Sequence, residues 1–183
     1  PHTPMQASQK YLDRFDHIKD PLRKTYAAMV SAVDDGVGRI LAELSRHNLD
    51  ENTLVVFISD NGGAGNNGSI NTPLRGTKGT LYEGGMHVPF ALRWTGHVPA
   101  GLVYQHPVSS LDILGTMAGV TGVEIAAERP LDGVNLIPYL TGERDEAPHE
   151  YLFWEMIRSG DAAVRHGDDK LKVAYKTDTT ERF

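Results

Sequence analysis

The run Thr53-Leu54-Val55-Val56-Phe57-Ile58-Ser59-Asp60-Asn61-Gly62 decides the fold. It is apolar at every position from Leu54 to Ile58, short and partly β-branched. Such a run reads as a strand covered on both faces, as in a parallel sheet, because a half-exposed strand would alternate polar with apolar side chains. Ahead of it, Met29, Val33, Val37, Ile40 and Leu44 recur at steps of four, four, three and four. That spacing predicts one apolar stripe on a helix of about 25 residues. Pro21 suits the first turn, Asp20 the N-cap, and Asn48 the left-handed position that ends the helix. A helix feeding a buried strand is half of an α/β unit. In open α/β sheets, ligands gather beyond the carboxyl ends of the strands, which is where Asp60 and Asn61 fall.

Working outward, Pro1 to Asp20 reads as an irregular lead-in. Asp60 to Gly68 holds four Gly and three Asn in nine residues, a loop with little order of its own. Val88 to Trp94 is a second strand candidate, with Pro89 tolerable only at its start. Leu111 to Ala118 predicts a helix, with Ser109 and Ser110 as cap candidates. Leu131 to Leu140 contains Gly133 and Pro138 and reads as an apolar covering segment. Tyr151 to Glu155, Ala162 to Arg165 and Leu171 to Tyr175 suggest short strands. The polar stretch from Gly142 to Pro148 divides the chain into 1–142 and a C-terminal subdomain at 143–183.

Composition excludes several function classes. The chain has 183 residues, 40% hydrophobic and 23% charged, with 19 Gly and 10 Pro, which suits one domain or a large piece of one. Eighteen basic against 24 acidic residues give a net charge of −6, so no nucleic-acid or anionic-membrane partner is expected. With no apolar run longer than Leu54 to Ile58, no membrane span is expected either. Zero Cys excludes disulfides, thiolate metal sites and a cysteine nucleophile. The first residue is Pro1, with no charged-then-apolar leader after it, so the chain reads as a mature form or a fragment.

Three groups of residues could carry chemistry. Asp60 and Asn61 are adjacent hard oxygen donors, one anionic and one neutral, suited to Ca²⁺ or Mg²⁺ and not to Zn²⁺. A plain Asp-Asn-Gly turn is the competing reading. It is weakened because no second strand follows directly to complete a hairpin. Two donors also leave a Ca²⁺ shell of about 6–8 oxygens unfilled. Lys78, between Gly76 and Gly79, could approach an oxyanion with help from backbone N–H groups, or sit on an exposed basic turn. His2 could act as a general acid near neutral pH, or be a frayed terminal residue. Asp34-Asp35 reads as the solvated face of the long helix. The other seven histidines show no i,i+4 pairing. No G-x-S-x-G surrounds any serine, so a serine-hydrolase reading has no support. Asn67-Gly68-Ser69 fits a glycosylation sequon, relevant only in a eukaryotic secretory setting.

The order of these segments is more specific than any one of them. Pro1-His2-Thr3-Pro4 is followed by Tyr26 to Val30 with Asp34-Asp35 and Gly38, and then by Val55 to Gly62. After these come Pro73-Leu74-Arg75-Gly76-Thr77-Lys78-Gly79-Thr80-Leu81-Tyr82-Glu83-Gly84-Gly85 and Val88-Pro89. This succession resembles the C-terminal part of type I sulfatases, in the alkaline-phosphatase-like superfamily, over residues 1 to about 142. Ala163 to Gly167 with Lys170-Leu171 resembles the family's late strand region. The resemblance implies an α/β fold: part of an alkaline-phosphatase-like mixed sheet flanked by helices, with part of a small C-terminal α+β subdomain.

The resemblance also implies roles. Asp60 and Asn61 would be two ligands of an active-site Ca²⁺, Lys78 would hold sulfate oxygens, and His2 would stabilise the sulfate or protonate the leaving alcohol. The implied activity is hydrolysis of sulfate esters, with sulfated sugars as candidate substrates, in a periplasmic or secreted setting. Two departures are peripheral: His87 where the family often has Arg, and Gly115-Thr116 where Pro-Thr is common. A third is larger. The family's formylglycine arises in a C/S-x-P-x-R motif, and none of the ten prolines has Cys or Ser two before it and Arg two after. The nucleophile is therefore expected from an N-terminal remainder of the same enzyme, and the 183 residues alone are expected to be inactive. Two other readings stay open: a phosphatase or phosphonate monoester hydrolase of the superfamily, and a non-enzymatic association module.

Overall fold

The computed structural model describes all residues except Ala127, Arg158, Lys176 and Asp178. In chain order its elements are α1 (Gln9–Leu12), a 3₁₀ turn (Asp13–Phe15), α2 (Pro21–Arg46), β1 (Val55–Ile58), α3 (Glu83–Met86), β2 (Phe90–Arg93), α4 (Asp112–Thr121), α5 (Ile137–Leu140), β3 (Tyr151–Met156), β4 (Asp161–His166), β5 (Asp169–Ala174) and β6 (Thr179–Arg182). They group into two compact units. One holds 1–53 and 59–90, the other 54–58 and 91–183.

The first unit is organised by α2. Its 26 residues begin at Pro21, and the Asp20 carboxylate accepts from the Arg23 N–H at 2.6 Å. A cap of this kind contributes about 1 kcal/mol by satisfying an otherwise orphaned donor. Asn48 takes φ 55°, and the Leu49 N–H returns to the Leu44 carbonyl to close the helix end. The apolar stripe is only partly covered: Ala28 is fully buried, whereas Val33 is 47% and Ile40 61% exposed. The lead-in differs from its irregular expectation, since residues 9–15 are helical. Arg14 anchors them to α2 through a two-pronged contact with Asp35 at 3.0 and 2.9 Å, and a bond to Ser31 at 2.8 Å. Asp35, expected on the solvated face, is thus a structural ion-pair partner.

The second unit holds both sheets. β1 pairs with β2 in a two-stranded sheet. Phe57 remains 44% exposed, so the covering of both faces expected from the apolar run is not supplied by the described residues, where β1 has a single strand neighbour. α4 runs three residues beyond its expected end, to Thr121, and Gly122 closes it at φ 69°. Ser109 caps the turn ahead of it, its Oγ accepting from the Leu111 N–H at 3.2 Å. The covering segment 131–140 is irregular until α5, with Leu136 nearly fully buried.

Segment 143–183 carries an antiparallel sheet in the order β3-β4-β5-β6. Its three expected strands are joined by β6, which the sequence pattern did not signal. β4 and β5 meet in a two-residue turn, Gly167-Asp168, because His166 pairs with Asp169. Gly167 stands at φ 56°, the conformation that a turn with glycine in its first central position requires. The alternation in β5 runs against simple hydrophobic patterning, since Lys170 and Lys172 point inward. The Lys170 ammonium lies 4.7 Å from the Trp154 ring centre, and that of Lys172 3.5 Å from Asp161. Aromatic and anionic neighbours offset the cost of withdrawing these charges from water.

Candidate functional site

The chain leaving β1 is fixed at once. The Ser59 N–H donates to the Pro89 carbonyl at 3.2 Å, and the Ser59 hydroxyl to the Asn61 carbonyl at 2.9 Å. Asp60 is exposed, and among the described residues its carboxylate has no hydrogen-bond or ion-pair partner. Asn61 is half-buried, with its amide N–H donating to the Gly62 carbonyl at 3.1 Å and its side-chain oxygen uncommitted. Two adjacent oxygen donors thus stand at the carboxyl end of β1. Their chemistry fits part of a hard-cation shell and is too few to fill one. Among the described residues, no group of three or more His, Cys, Asp or Glu could hold a metal ion.

The Gly/Asn loop is more ordered than its composition suggests, because its polar side chains stand in for missing backbone partners. The Asn67 side-chain oxygen accepts from the Ser69 N–H at 3.1 Å and from the Ser69 hydroxyl at 2.6 Å, and the Ser69 hydroxyl oxygen accepts from the Gly65 N–H. Asn67 is buried in doing so, which leaves the sequon internally bonded. Asn71 binds Gly63 as a neighbouring peptide would: its oxygen accepts from the Gly63 N–H at 2.9 Å and its amide donates to the Gly63 carbonyl at 2.8 Å. The Gly62 N–H donates to the Gly85 carbonyl at 3.0 Å. A Cβ on Gly62 would overlap the Gly84 carbonyl, so glycine is required for this close approach.

Lys78 is delivered to the same loop. Its backbone N–H donates to the Gly63 carbonyl at 3.0 Å. Its turn is set by Gly76 at φ 91°, by Gly79 at φ 83°, and by the Thr80 hydroxyl donating to the Thr77 carbonyl at 2.8 Å. The Lys78 side chain is exposed, with no acidic partner among the described residues. Behind it, the Arg75 guanidinium stacks 4.0 Å over Tyr82, and the Gly84 N–H donates to the Arg75 carbonyl at 2.7 Å. His87 makes a local contact instead, 3.3 Å from Glu83 one helical turn back.

The structure therefore ties the Lys78 backbone to Gly63, two residues beyond the Asp60-Asn61 turn. His2 is exposed and, among the described residues, hydrogen-bonds only with its neighbour Thr3, at 3.1 Å. Its other tie to this region is indirect, through the Pro1 carbonyl 3.5 Å from the Asn67 amide. Sequence reading missed Asn71. Its one available signal is position, three residues beyond the Gly/Asn loop and two before the segment that carries Lys78.

Comparison with known proteins gives a consistent result. The family model described as Sulfatase matches residues 1–123. Steryl-sulfatase of Mus musculus is 36% identical over 151 residues, covering 75% of this chain and 24% of that protein. N-acetylgalactosamine-6-sulfatase of Mus musculus is 36% identical over 187 residues, covering 100% of this chain and 34% of that protein. Among solved structures, Ps i-CgsB in complex with k-i-k-neocarrahexaose matches with a TM-score of 0.90 at 40% identity, over 100% of this chain and 41% of that one. The PsFucS1 sulfatase from Pseudoalteromonas sp. matches with a TM-score of 0.75 at 25% identity, over 100% and 38%. The chain thus spans 24% to 34% of these two curated relatives. Its mixed α/β architecture is that of the sulfatases with an alkaline-phosphatase-like fold. With two thirds of its length matched by the family model, the chain belongs to the sulfatase family.

Proposed function

We propose that the longer protein to which these residues belong hydrolyses sulfate esters, and that this chain supplies one side of the reacting site. The observation that carries the reading is the bond from the Lys78 N–H to the Gly63 carbonyl at 3.0 Å, which ties a lysine without an acidic partner among the described residues to the loop just past the oxygen donors of Asp60 and Asn61. Asp60 and Asn61 would hold a Ca²⁺ together with ligands from outside this chain. The bound ion would supply positive charge beside the sulfate oxygens. Lys78 would meet the charge that gathers on those oxygens as the ester bond breaks. His2 would stabilise the sulfate or give the leaving alkoxide its proton.

A nucleophile is still needed, and no C/S-x-P-x-R motif lies in these 183 residues. We assign the formylglycine to sequence outside this chain, and with it the remaining metal ligands, so the 183 residues alone should not turn over substrate. The exposed Val33, Ile40 and Phe57 support a larger body that covers them. Sulfated sugars are the substrate class best supported. One relative is named for an N-acetylgalactosamine 6-sulfate, and one neighbouring structure holds a neocarrahexaose.

The test uses the full-length enzyme with p-nitrophenyl sulfate, p-nitrophenyl phosphate and sulfated carrageenan oligosaccharides. Sulfate release that Lys78→Ala abolishes is expected, with the phosphate ester much the poorer substrate. Preferential phosphate release, or turnover indifferent to Lys78→Ala, would defeat the reading.

A further inference from the structure

We infer that Asn71 is a positioning residue for the proposed site, and that it sets the placement of Lys78 relative to Asp60 and Asn61. The inference rests on the sulfate-ester reading above and concerns a side chain to which that reading gives no role. Asn71 is half-buried, and all of its side-chain hydrogen-bonding groups are engaged. Besides its two bonds to Gly63, its amide donates to the Gly76 carbonyl at 3.0 Å. Gly63 lies two residues beyond Asn61, and Gly76 lies two residues before Lys78. One planar amide therefore spans the two loops whose separation the chemistry depends on.

The surroundings leave little slack. The Gly63 carbonyl accepts from both the Asn71 amide at 2.8 Å and the Lys78 N–H at 3.0 Å, so the two donors converge on one oxygen. A Cβ at Gly63 would stand 2.5 Å from the Ser69 hydroxyl and 2.8 Å from the Asn71 side-chain oxygen, so the peptide is held at close quarters on that side. Neither loop belongs to a regular element, so no helix or strand ladder would maintain their spacing without the amide. Alanine would remove all three bonds. Aspartate would keep the acceptor for the Gly63 N–H but set a carboxylate against two carbonyl oxygens, and would push the Gly76 side away.

The experiment uses the full-length enzyme and p-nitrophenyl sulfate, with Asn71→Ala, Asn71→Asp, Lys78→Ala and the double variant Asn71→Ala/Lys78→Ala. Each variant is first checked for a native circular dichroism spectrum and a cooperative melt. Asn71→Ala is expected to lower kcat by about 10- to 100-fold, the scale of a catalytic group displaced by about 1 Å, with a much smaller change in KM. Asn71→Asp is expected to be at least as impaired. Because Asn71 acts through Lys78, adding Asn71→Ala to Lys78→Ala should cost little more. Additive losses in the double variant, or wild-type kcat in a folded Asn71→Ala or Asn71→Asp enzyme, would overturn the inference. Loss of the Lys78→Ala effect itself would instead overturn the sulfate-ester reading. If Asn71→Ala fails to fold, Asn71→Asp, which conserves shape, decides by the same kcat comparison. A failure of both to fold would show a scaffold role alone and would overturn the positioning role.

Discussion

His149 Nε2 lies 2.8 and 3.0 Å from the two carboxylate oxygens of Asp112, and both side chains are nearly or wholly withdrawn from water, at 9% and 0% exposure. The same carboxylate accepts from the Ser109 N–H at 2.7 Å and from the Val134 N–H at 2.9 Å. Asp112 thus joins the start of α4, the segment before α5 and a residue two before β3. Removing it leaves the Ser109 and Val134 N–H groups and the His149 ring nitrogen without this partner at once. Asp112→Ala should destabilise the protein by about 3–5 kcal/mol, since each donor left without its acceptor costs about 1–3 kcal/mol. Asp112→Asn, which keeps one acceptor, should cost less. Thermal melts of the full-length enzyme give the comparison, and equal Tm values for wild type and Asp112→Ala would contradict it.

Tyr104 presents the opposite case. Its hydroxyl is buried and has no hydrogen-bond partner among the described residues. Burial pushes its ionisation upward, with Tyr139 and Glu146 adding to the effect. A buried donor without a partner is a standing cost, so removing the oxygen should be neutral or favourable. Tyr104→Phe is expected to hold or raise stability by up to about 1 kcal/mol. Urea denaturation is the check, and a clear loss of stability would reveal a bond that the structure does not contain.

The two ends of the chain's chemistry were unequally legible in its residues. α2 was readable to within a residue because periodicity, Asp20 and Pro21 all pointed the same way, and consistent local signals of this kind specify an element well. The carboxyl end of β1 was readable for the same reason. The short helix at 9–12 was missed because its stabilisation comes from Arg14 reaching Asp35, 21 residues away, which no local pattern records. Covering of both faces of β1 was overread, since a continuous apolar run reports only that a strand is to be buried and not which part of a protein buries it. Asp60, Asn61 and Lys78 could be listed from sequence. The tie of Lys78 to Gly63, two residues past Asn61, could not, because it rests on Asn71 and on glycine contacts between separate loops.

Acidification should act on the Arg14–Asp35 contact in a defined direction. The Arg14 hydrogen bonds hold the Asp35 carboxyl below its ordinary value of 3.8. With the folded value below the unfolded one, the contribution to stability is fully present above the unfolded value. It is lost as pH falls from there through the lower folded value. The stability gap between wild type and Asp35→Asn should therefore be constant above about pH 5 and narrow below about pH 4. Urea midpoints measured across that range test the sign. A gap that widens on acidification would mean that Arg14 is not the group that holds Asp35.

The metal reading of β1's carboxyl end makes a prediction separate from turnover. Asp60 and Asn61 differ in charge, and for a hard divalent cation the anionic oxygen contributes the larger attraction. Asp60→Asn keeps an oxygen at the position but removes the charge, whereas Asn61→Ala removes a neutral donor. Calcium affinity of the full-length enzyme, measured by calorimetry in the absence of substrate, should fall by about 100-fold for Asp60→Asn and less for Asn61→Ala. Neither change should lower Tm in calcium-free buffer by more than a degree or two. Asp60 has no protein partner to lose among the described residues, and Asn61 has only its local bond to Gly62. A large stability loss without calcium would mark the pair as a structural turn, and unchanged affinity in Asp60→Asn would remove the carboxylate from the ligand set.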